Sequence, residues 1–195
     1  MIFRLMTPKE IEYWYKALLP DCFVPDEIKP WADFERLLSE DRYEIWGVFS
    51  DDPKKPLPFG FATIWKRPGI PLVLLDYLGV MSSGRNGGTG AWMLQQLKTQ
   101  GRPLVCEAEL PIDGSPEEEN SLRRRRIAFY ERCGLHPAYE MCTCGFRMQA
   151  LLMNDTACDL NDLMRWHKLL YDEKRTDVKV PIGPNEIPQP AYWMQ

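Results

Sequence analysis

The spacing of apolar residues predicts the first elements of the chain. Residues 2–6 form a short apolar run typical of a strand. Thr7 and Pro8 then favour a helix start, and Glu10 completes a capping box. Apolar residues at helical spacing predict two helices, with Ile11, Trp14, Tyr15, Leu18 and Leu19 on the first and Trp31, Phe34, Leu37 and Leu38 on the second.

Strand-like segments dominate the middle of the chain. Residues 43–49 and 57–65 predict a hairpin joined by a polar, proline-containing turn, and residues 72–80 predict a strongly apolar strand that carries one carboxylate, Asp76. Residues 103–110 predict a further strand, on which Glu107 and Glu109 share one face because strand side chains alternate. Two more strands, predicted at residues 136–146 and 147–153, form a last hairpin.

The C-terminal part predicts one amphipathic helix and an extended tail. Residues 159–171 place an apolar stripe on one face of a helix, and His167 lies on that stripe, where a packing role is more common than a catalytic one. Four prolines after residue 180 favour an extended tail, which could pack across the domain, line a substrate pocket or dock on a second copy in a homodimer. We expect a main domain at residues 1–153, with residues 154–195 packed on it.

A glycine-rich turn joins the apolar strand to the next helix. The hydrophobic period changes there from two to about 3.6 residues, which predicts strand, turn and helix in succession. A helix start carries unpaired N–H groups and the positive end of the helix dipole, so such a turn suits a pyrophosphate. Glycine clusters also serve ordinary turns, and the spacing alone leaves both interpretations open.

The turn contains the pattern Arg85-x-x-Gly88-x-Gly90, and the segment Phe-Tyr-Glu-Arg-Cys-Gly-Leu follows at residues 129–135. Together these segments resemble the GNAT superfamily of N-acetyltransferases over residues 57–148. The resemblance implies an α/β GNAT fold with a mixed central β-sheet flanked by helices, and acetyl-CoA as co-substrate. The cofactor-binding residues that we expect are Leu78, Val80, Arg85, Asn86, Gly87, Gly88, Thr89, Gly90 and Arg126, with the N–H of Val80 as oxyanion donor and Arg126 at the 3′-phosphate.

The resemblance also implies catalytic roles. Tyr130 corresponds to a tyrosine near the thioester sulfur and would act as general acid on the departing thiolate. Glu107 matches a glutamate that some members use as base, and Glu109 is the second candidate; a solvent-facing strand edge is the alternative for both. A partly buried base should have a raised pKa. Direct attack by the amine is favoured over an acetyl-cysteine route through Cys106 or Cys133, because no histidine is placed in the sequence to activate either thiol.

Departures from the family pattern and the charged segments qualify these roles. Many relatives have glycine in place of Asn86. They also have an asparagine before the Phe-Tyr motif, where this chain has Arg123 and Arg126, so the usual contact of that asparagine with pantetheine is in question. The acidic loop at residues 111–120 could be a flap over the acceptor or a solvated loop. The arginines at 123–126 could reach a phosphate or neutralise Glu117–Glu119.

Composition narrows the function classes. The chain has 195 residues, enough for one domain, and its net charge of -4 argues against a nucleic-acid surface. It has no membrane-spanning apolar run and no signal-like start, so we expect a cytoplasmic protein with no membrane partner. The chain has six cysteines, of which Cys142 and Cys144 form a Cys-x-Cys pair. Because the sequence contains no second closely spaced pair, reduced thiols and no metal are favoured.

These observations predict an N-acetyltransferase that modifies the primary amine of a small molecule in a ternary complex. Two alternatives stay open. One is a non-catalytic acyl-CoA-binding regulatory module, and the other is a protein or peptide N-acetyltransferase.

Overall fold

The computed structural model describes residues 1–84 and 87–195, and its strands form one mixed seven-stranded sheet in the order β1-β2-β3-β4-β5-β7-β6. The predicted α/β class with a central mixed sheet is therefore confirmed. The strands are β1 (Ile2–Leu5), β2 (Tyr43–Phe49), β3 (Gly60–Trp65), β4 (Val73–Val80), β5 (Leu104–Glu109), β6 (His136–Thr143) and β7 (Phe146–Met153). The helices are α1 (Pro8–Tyr13), α2 (Leu19–Cys22), α3 (Trp31–Ser39), α4 (Thr89–Thr99), α5 (Glu117–Arg132) and α6 (Leu160–Leu170).

The chain folds as two compact units. The first comprises residues 1–68 and 75–101, and the second comprises residues 69–74 and 102–195. β1, β2 and β3 belong to the first unit and β5, β6 and β7 to the second, while β4 contributes residues to both.

The first unit begins as the sequence predicts. The backbone N–H of Thr7 donates to Glu10 Oε2 at 2.7 Å, and Pro8 is the first residue of α1. Glu10 also accepts hydrogen bonds from the Arg4 guanidinium, which lowers the pKa of its carboxyl to about 2. A widened helical turn at Trp14–Leu18 connects α1 to α2. Part of each predicted apolar stripe lies in the core, where Trp14 packs edge-on against Phe34 and Phe61. The buried members are Trp14, Leu18, Leu19, Phe34 and Leu37.

Gly79 in β4 is required by a close approach between side chain and backbone. A Cβ atom at this position would lie 2.4 Å from Cζ and 2.5 Å from Cε1 of Phe61, which is fully buried. The ring also packs against Trp14 and Phe23, so moving it away from the added Cβ atom would disturb these contacts. Glycine at this point therefore allows β4 to pack against Phe61.

The second unit is built on the antiparallel pairs β5–β7 and β6–β7. The C-terminal tail is extended, as predicted, and runs along β6: Lys179 exchanges backbone hydrogen bonds with Cys142, and the N–H of Ile182 donates to Glu140 O at 3.0 Å. These contacts pair backbone groups of β6, which is the last strand in the sheet order.

We predict that Gly79→Ala destabilises the protein by about 1–3 kcal/mol, because the added methyl group overpacks the core against Phe61. Urea unfolding followed by tryptophan fluorescence would measure the change. Gly60→Ala is the matched control in the neighbouring strand, where the added Cβ atom would lie 3.4 Å or more from its neighbours. Equal stability of the two variants would contradict the packing account.

Candidate functional site

The glycine-rich turn forms the predicted junction of strand, turn and helix. β4 ends at Val80, a tight turn follows at Ser82–Gly84, and α4 begins at Thr89. Gly88 precedes the helix with a φ of 75°, a left-handed conformation that favours glycine. Arg85 and Asn86, two of the expected cofactor residues, lie outside the described residues.

Backbone N–H groups are the ligand donors that this turn can offer. Among the described residues, the first helical hydrogen bond of α4 runs from the N–H of Trp92 to Gly88 O at 2.9 Å, and the N–H groups of residues 89–91 lie before it. The Thr89 hydroxyl is used within the turn, where it donates to Gly84 O at 3.1 Å. The positive end of the helix dipole lies at these same residues. An anion such as a pyrophosphate fits this arrangement.

A cavity of about 600 Å³ lies in the first unit, next to the start of the turn. This volume is within the range of small-molecule sites. One carboxylate, one ammonium group and several hydroxyl groups line it together with apolar side chains. Its lining residues are Tyr13, Leu18, Asp21, Ser50, Lys55, Leu57, Pro58, Phe59, Met81 and Ser82.

Asp76, the single carboxylate of β4, is the centre of a buried polar cluster in the first unit that the sequence analysis did not identify. The Lys29 ammonium donates to both of its oxygens, at 2.6 and 2.7 Å, and Lys29 is only 5% exposed. The Tyr43 hydroxyl also donates to Asp76, and Lys29 Nζ lies 4.6 Å from the centre of the Tyr77 ring. Burial, followed by the negative charge of Asp76, raises the pKa of Tyr43 well above its usual value.

Glu107, the first candidate for the base, lies in the second unit within a hydrogen-bonded chain. Its Oε1 atom accepts from His167 Nε2 at 2.9 Å and from the Tyr171 hydroxyl at 2.6 Å. The other imidazole nitrogen of His167, Nδ1, is 2.9 Å from the Tyr139 hydroxyl. The sequence analysis treated His167 as a packing residue. It is fully buried, as expected of such a residue, but it also contacts the candidate base.

The expected rise in the pKa of Glu107 is wrong. Burial alone raises the pKa of a carboxyl, because water stabilises the charged form better than the protein interior does. The hydrogen bond from His167 and its electrostatic interaction with the carboxylate, then the hydrogen bond from Tyr171 and the positive charge of Arg175, stabilise the ionised form more strongly. The pKa of Glu107 is therefore lowered. Glu107 is therefore a carboxylate at neutral pH.

Glu109, the second candidate, is paired with arginines of α5. Arg123 Nε donates to its Oε2 atom at 2.9 Å, and Arg126 Nη1 lies 3.6 Å from its Oε1 atom. Arg123 also bonds Asn120 Oδ1 at 3.1 Å. Arg124 forms an ion pair with Glu117, and Arg123 forms one with Glu119. Part of the arginine run therefore neutralises the acidic residues before it, which is one of the two roles that the sequence allows.

Tyr130, the candidate acid, lies near the C-terminal end of α5 and is 9% exposed. Its hydroxyl has no hydrogen-bond partner among residues 1–84 and 87–195. Burial raises its pKa, so the phenol keeps its proton at neutral pH. Burial likewise raises the pKa of the Cys106 and Cys133 thiols, which disfavours a cysteine nucleophile.

Two kinds of feature are absent from the described residues. No helix in those ranges is long and apolar enough to cross a lipid bilayer. No group of three or more His, Cys, Asp and Glu side chains there could hold a metal ion. The Sγ atom of Cys142, part of the Cys-x-Cys pair, instead donates to Asp177 O at 3.3 Å.

Comparison with protein families and with curated proteins finds no match. Solved structures do match. A protein of Bacteroides thetaiotaomicron that is assigned to the GNAT acetyltransferase family shares 23% identity, with 87% of this chain and 96% of that chain covered and a TM-score of 0.65. The chain has the GNAT fold.

Two further structures share the GNAT fold. The GNAT-like decarboxylase GphF, in complex with isobutyryl-CoA, is 13% identical, covers 78% of this chain and 98% of its own, and has a TM-score of 0.59. An aminoglycoside 6′-N-acetyltransferase complexed with coenzyme A is 14% identical, covers 82% of this chain and 100% of its own, and has a TM-score of 0.54. The expected fold family is thus confirmed, while identities this low leave the reaction to be argued from the site.

We predict that Lys29→Met lowers the free energy of unfolding by about 3–5 kcal/mol, because it leaves the Asp76 carboxylate buried without its cation. Chemical denaturation would measure the loss. Lys16→Met is the matched control, since Lys16 pairs with Glu12 on the surface and should cost about 1 kcal/mol or less. A similar small loss in both variants would show that the Lys29 pair contributes no more than a surface ion pair.

Proposed function

We propose that this protein is an acetyl-CoA-dependent N-acetyltransferase that modifies the primary amine of a small molecule. The observation that carries the proposal is the turn between β4 and α4 on a GNAT fold, where Gly88 adopts a left-handed conformation and the first N–H groups of α4 precede its hydrogen-bond ladder. In this proposal the residues from Gly87 to Gly90 bind the pyrophosphate through their backbone. Arg85 and Asn86, which lie outside the described residues, are proposed as further cofactor-binding residues.

The acetyl group is proposed to lie beside β4. Leu78 and Val80 are half-buried and share one face of this strand. The N–H of Val80 would donate to the acetyl oxygen as negative charge develops on it in the transition state. Arg126, which is half exposed, would turn from Glu109 to the 3′-phosphate.

Tyr130 and Glu107 have separate roles in the proposed mechanism. The acceptor amine attacks the thioester carbonyl directly, and Glu107 takes the proton from the amine, directly or through a water molecule. Tyr130, which is protonated at neutral pH, donates its proton to the departing thiolate. Glu109 is a weaker candidate for the base, because both of its oxygens face arginines.

The cavity of about 600 Å³ in the first unit supports a small-molecule acceptor. Asp21 on its wall could pair with an ammonium group, and Tyr13 and Ser50 could donate to or accept from further polar groups. A protein or peptide acceptor would instead need an open groove that accommodates an extended chain.

A non-catalytic acyl-CoA-binding module is the second candidate. It is favoured by Arg123, which stands where many GNAT enzymes have asparagine and which is held by Glu109 and Asn120. A GNAT-like fold can also serve a reaction other than transfer, since one fold neighbour is a decarboxylase.

Calorimetric titration with acetyl-CoA tests the cofactor site. We expect acetyl-CoA to bind, and dephospho-CoA, which lacks the 3′-phosphate, to bind about tenfold or more weakly because it loses a charge-assisted contact with arginine. Arg126→Gln should remove most of that difference, and Arg132→Gln is the matched control at the end of the same helix. No heat of binding with folded protein would contradict the cofactor assignment.

Steady-state kinetics separates the enzyme from the binding module. We expect Tyr130→Phe and Glu107→Gln each to lower kcat by about 100-fold or more, with little change in the affinity for acetyl-CoA. Tyr192→Phe, in the partly exposed C-terminal tail, is the control and should retain full activity. Wild-type rates in both variants would exclude the roles given to Glu107 and Tyr130. If the wild-type protein binds acetyl-CoA but acetylates none of a panel of amines, the binding module is favoured.

A further inference from the structure

We propose that His167 and Tyr171, contributed by the C-terminal helix and the residue after it, are positioning residues that hold Oε1 of Glu107 and leave Oε2 to receive the proton of the acceptor amine. This inference rests on the proposed role of Glu107 as base. It makes the C-terminal helix part of the catalytic apparatus.

The register of three strands creates the place for the His167 ring. Glu107 in β5 is paired with Ala150 in β7, and Ala150 is paired with Tyr139 in β6. Residues paired across a sheet lie on the same face, so these three side chains form a row. A shift in register between Pro137 and Tyr139 places Tyr139 in this row.

The small side chain of Ala150 leaves room above the middle strand. The outer two members of the row, Glu107 and Tyr139, are two strand spacings apart, about 10 Å. The His167 ring spans this gap with one hydrogen bond of 2.9 Å at each nitrogen. A larger residue at position 150 would compete with the ring for this space, so the register and Ala150 together set the position of the ring.

The hydrogen bonds also determine which atoms carry protons. A carboxylate oxygen can only accept, so Nε2 of His167 donates to Glu107, and in the neutral ring Nδ1 then accepts from the Tyr139 hydroxyl. The Tyr171 hydroxyl is the second donor, and both donors contact Oε1. Within the described part of the chain Oε2 has no hydrogen-bond partner, while 11% of the Glu107 side chain is exposed.

Few other charged or titratable groups face this carboxylate. Arg175, which follows α6, contributes positive charge, and both oxygens of Asp177 accept hydrogen bonds from its guanidinium at 2.8 Å. The residues beside Glu107 in the neighbouring strands are Ala150 in β7 and, beyond it, Tyr139 in β6 with its hydroxyl group. The residue before Glu107 in β5 is Cys106, whose thiol is buried. His167 and Tyr171 are therefore the described donors that directly orient Glu107.

The test combines the pH dependence of kcat/KM with an NMR titration of the Glu107 carboxyl in protein labelled with ¹³C-glutamate. The variants are His167→Phe and Tyr171→Phe, which each remove one donor, and His167→Gln, whose amide can replace Nε2 as donor. We expect the carboxyl titration and the acid limb of the kcat/KM profile to move up by about one pH unit in each of the two Phe variants. His167→Gln should restore both to near their wild-type positions.

The control and the contrary outcomes are distinct. Arg165→Gln lies on α6 but pairs with Asp162 on the surface, so it should change neither readout. An unchanged carboxyl titration in folded His167→Phe and Tyr171→Phe proteins would overturn the positioning role. A shifted titration with an unmoved acid limb in an active enzyme would overturn the link to catalysis. Failure of the wild-type protein to bind acetyl-CoA would instead refute the proposed function, while the titration would still report whether the two donors position Glu107.

Discussion

Charge inside a sheet is the constraint on which much of this structure depends. A carboxylate that leaves water loses its hydration, and it is tolerated only where donors replace that water. β5 carries Glu107 at a place where the strand is covered, and the donors come from α6 and the residue after it. The packing of the C-terminal helix is therefore not only hydrophobic, because removing the helix would leave a buried negative charge without partners.

Asp76 shows the same constraint in the first unit. Its donors are the ammonium of Lys29, from the segment between α2 and α3, and the hydroxyl of Tyr43 in β2. The rings of Trp65 and Tyr77 lie 5.2 and 4.6 Å from this ammonium group, and both members of the pair are largely buried. An ion pair thus holds the segment that carries Lys29 to β4. Removing either member would leave the other one buried without its partner.

The proposed function depends on particular atoms rather than on the fold. GNAT-like folds occur among acetyltransferases and in a decarboxylase, so the likeness at 13–23% identity identifies the architecture only. The case for an acetyltransferase comes from the donors at the start of α4, the protonated phenol of Tyr130 and the ionised carboxylate of Glu107. The lowered pKa makes Glu107 a weaker base than the sequence predicts.

The sequence by itself determined the features that depend on neighbouring residues. Thr7, Pro8 and Glu10 define a helix start within four residues, and the change of hydrophobic period at Gly88 defines the turn before α4, so both were predicted and found. The α/β class followed from the same periodicities. These features are accessible from sequence because turns, caps and amphipathic faces are set by residues at most a few positions apart.

Only the tertiary structure decided which side chains meet. Glu107 is bonded to residues 60 and 64 positions further along the chain, and Lys29 to a residue 47 positions away. The partners of Glu107 depend on strand register and on the small side chain of Ala150. No local sequence pattern predicts this pairing. The direction of its pKa shift could not be predicted for the same reason: burial and hydrogen bonding act in opposite directions, and their balance is set by partners that come together only on folding.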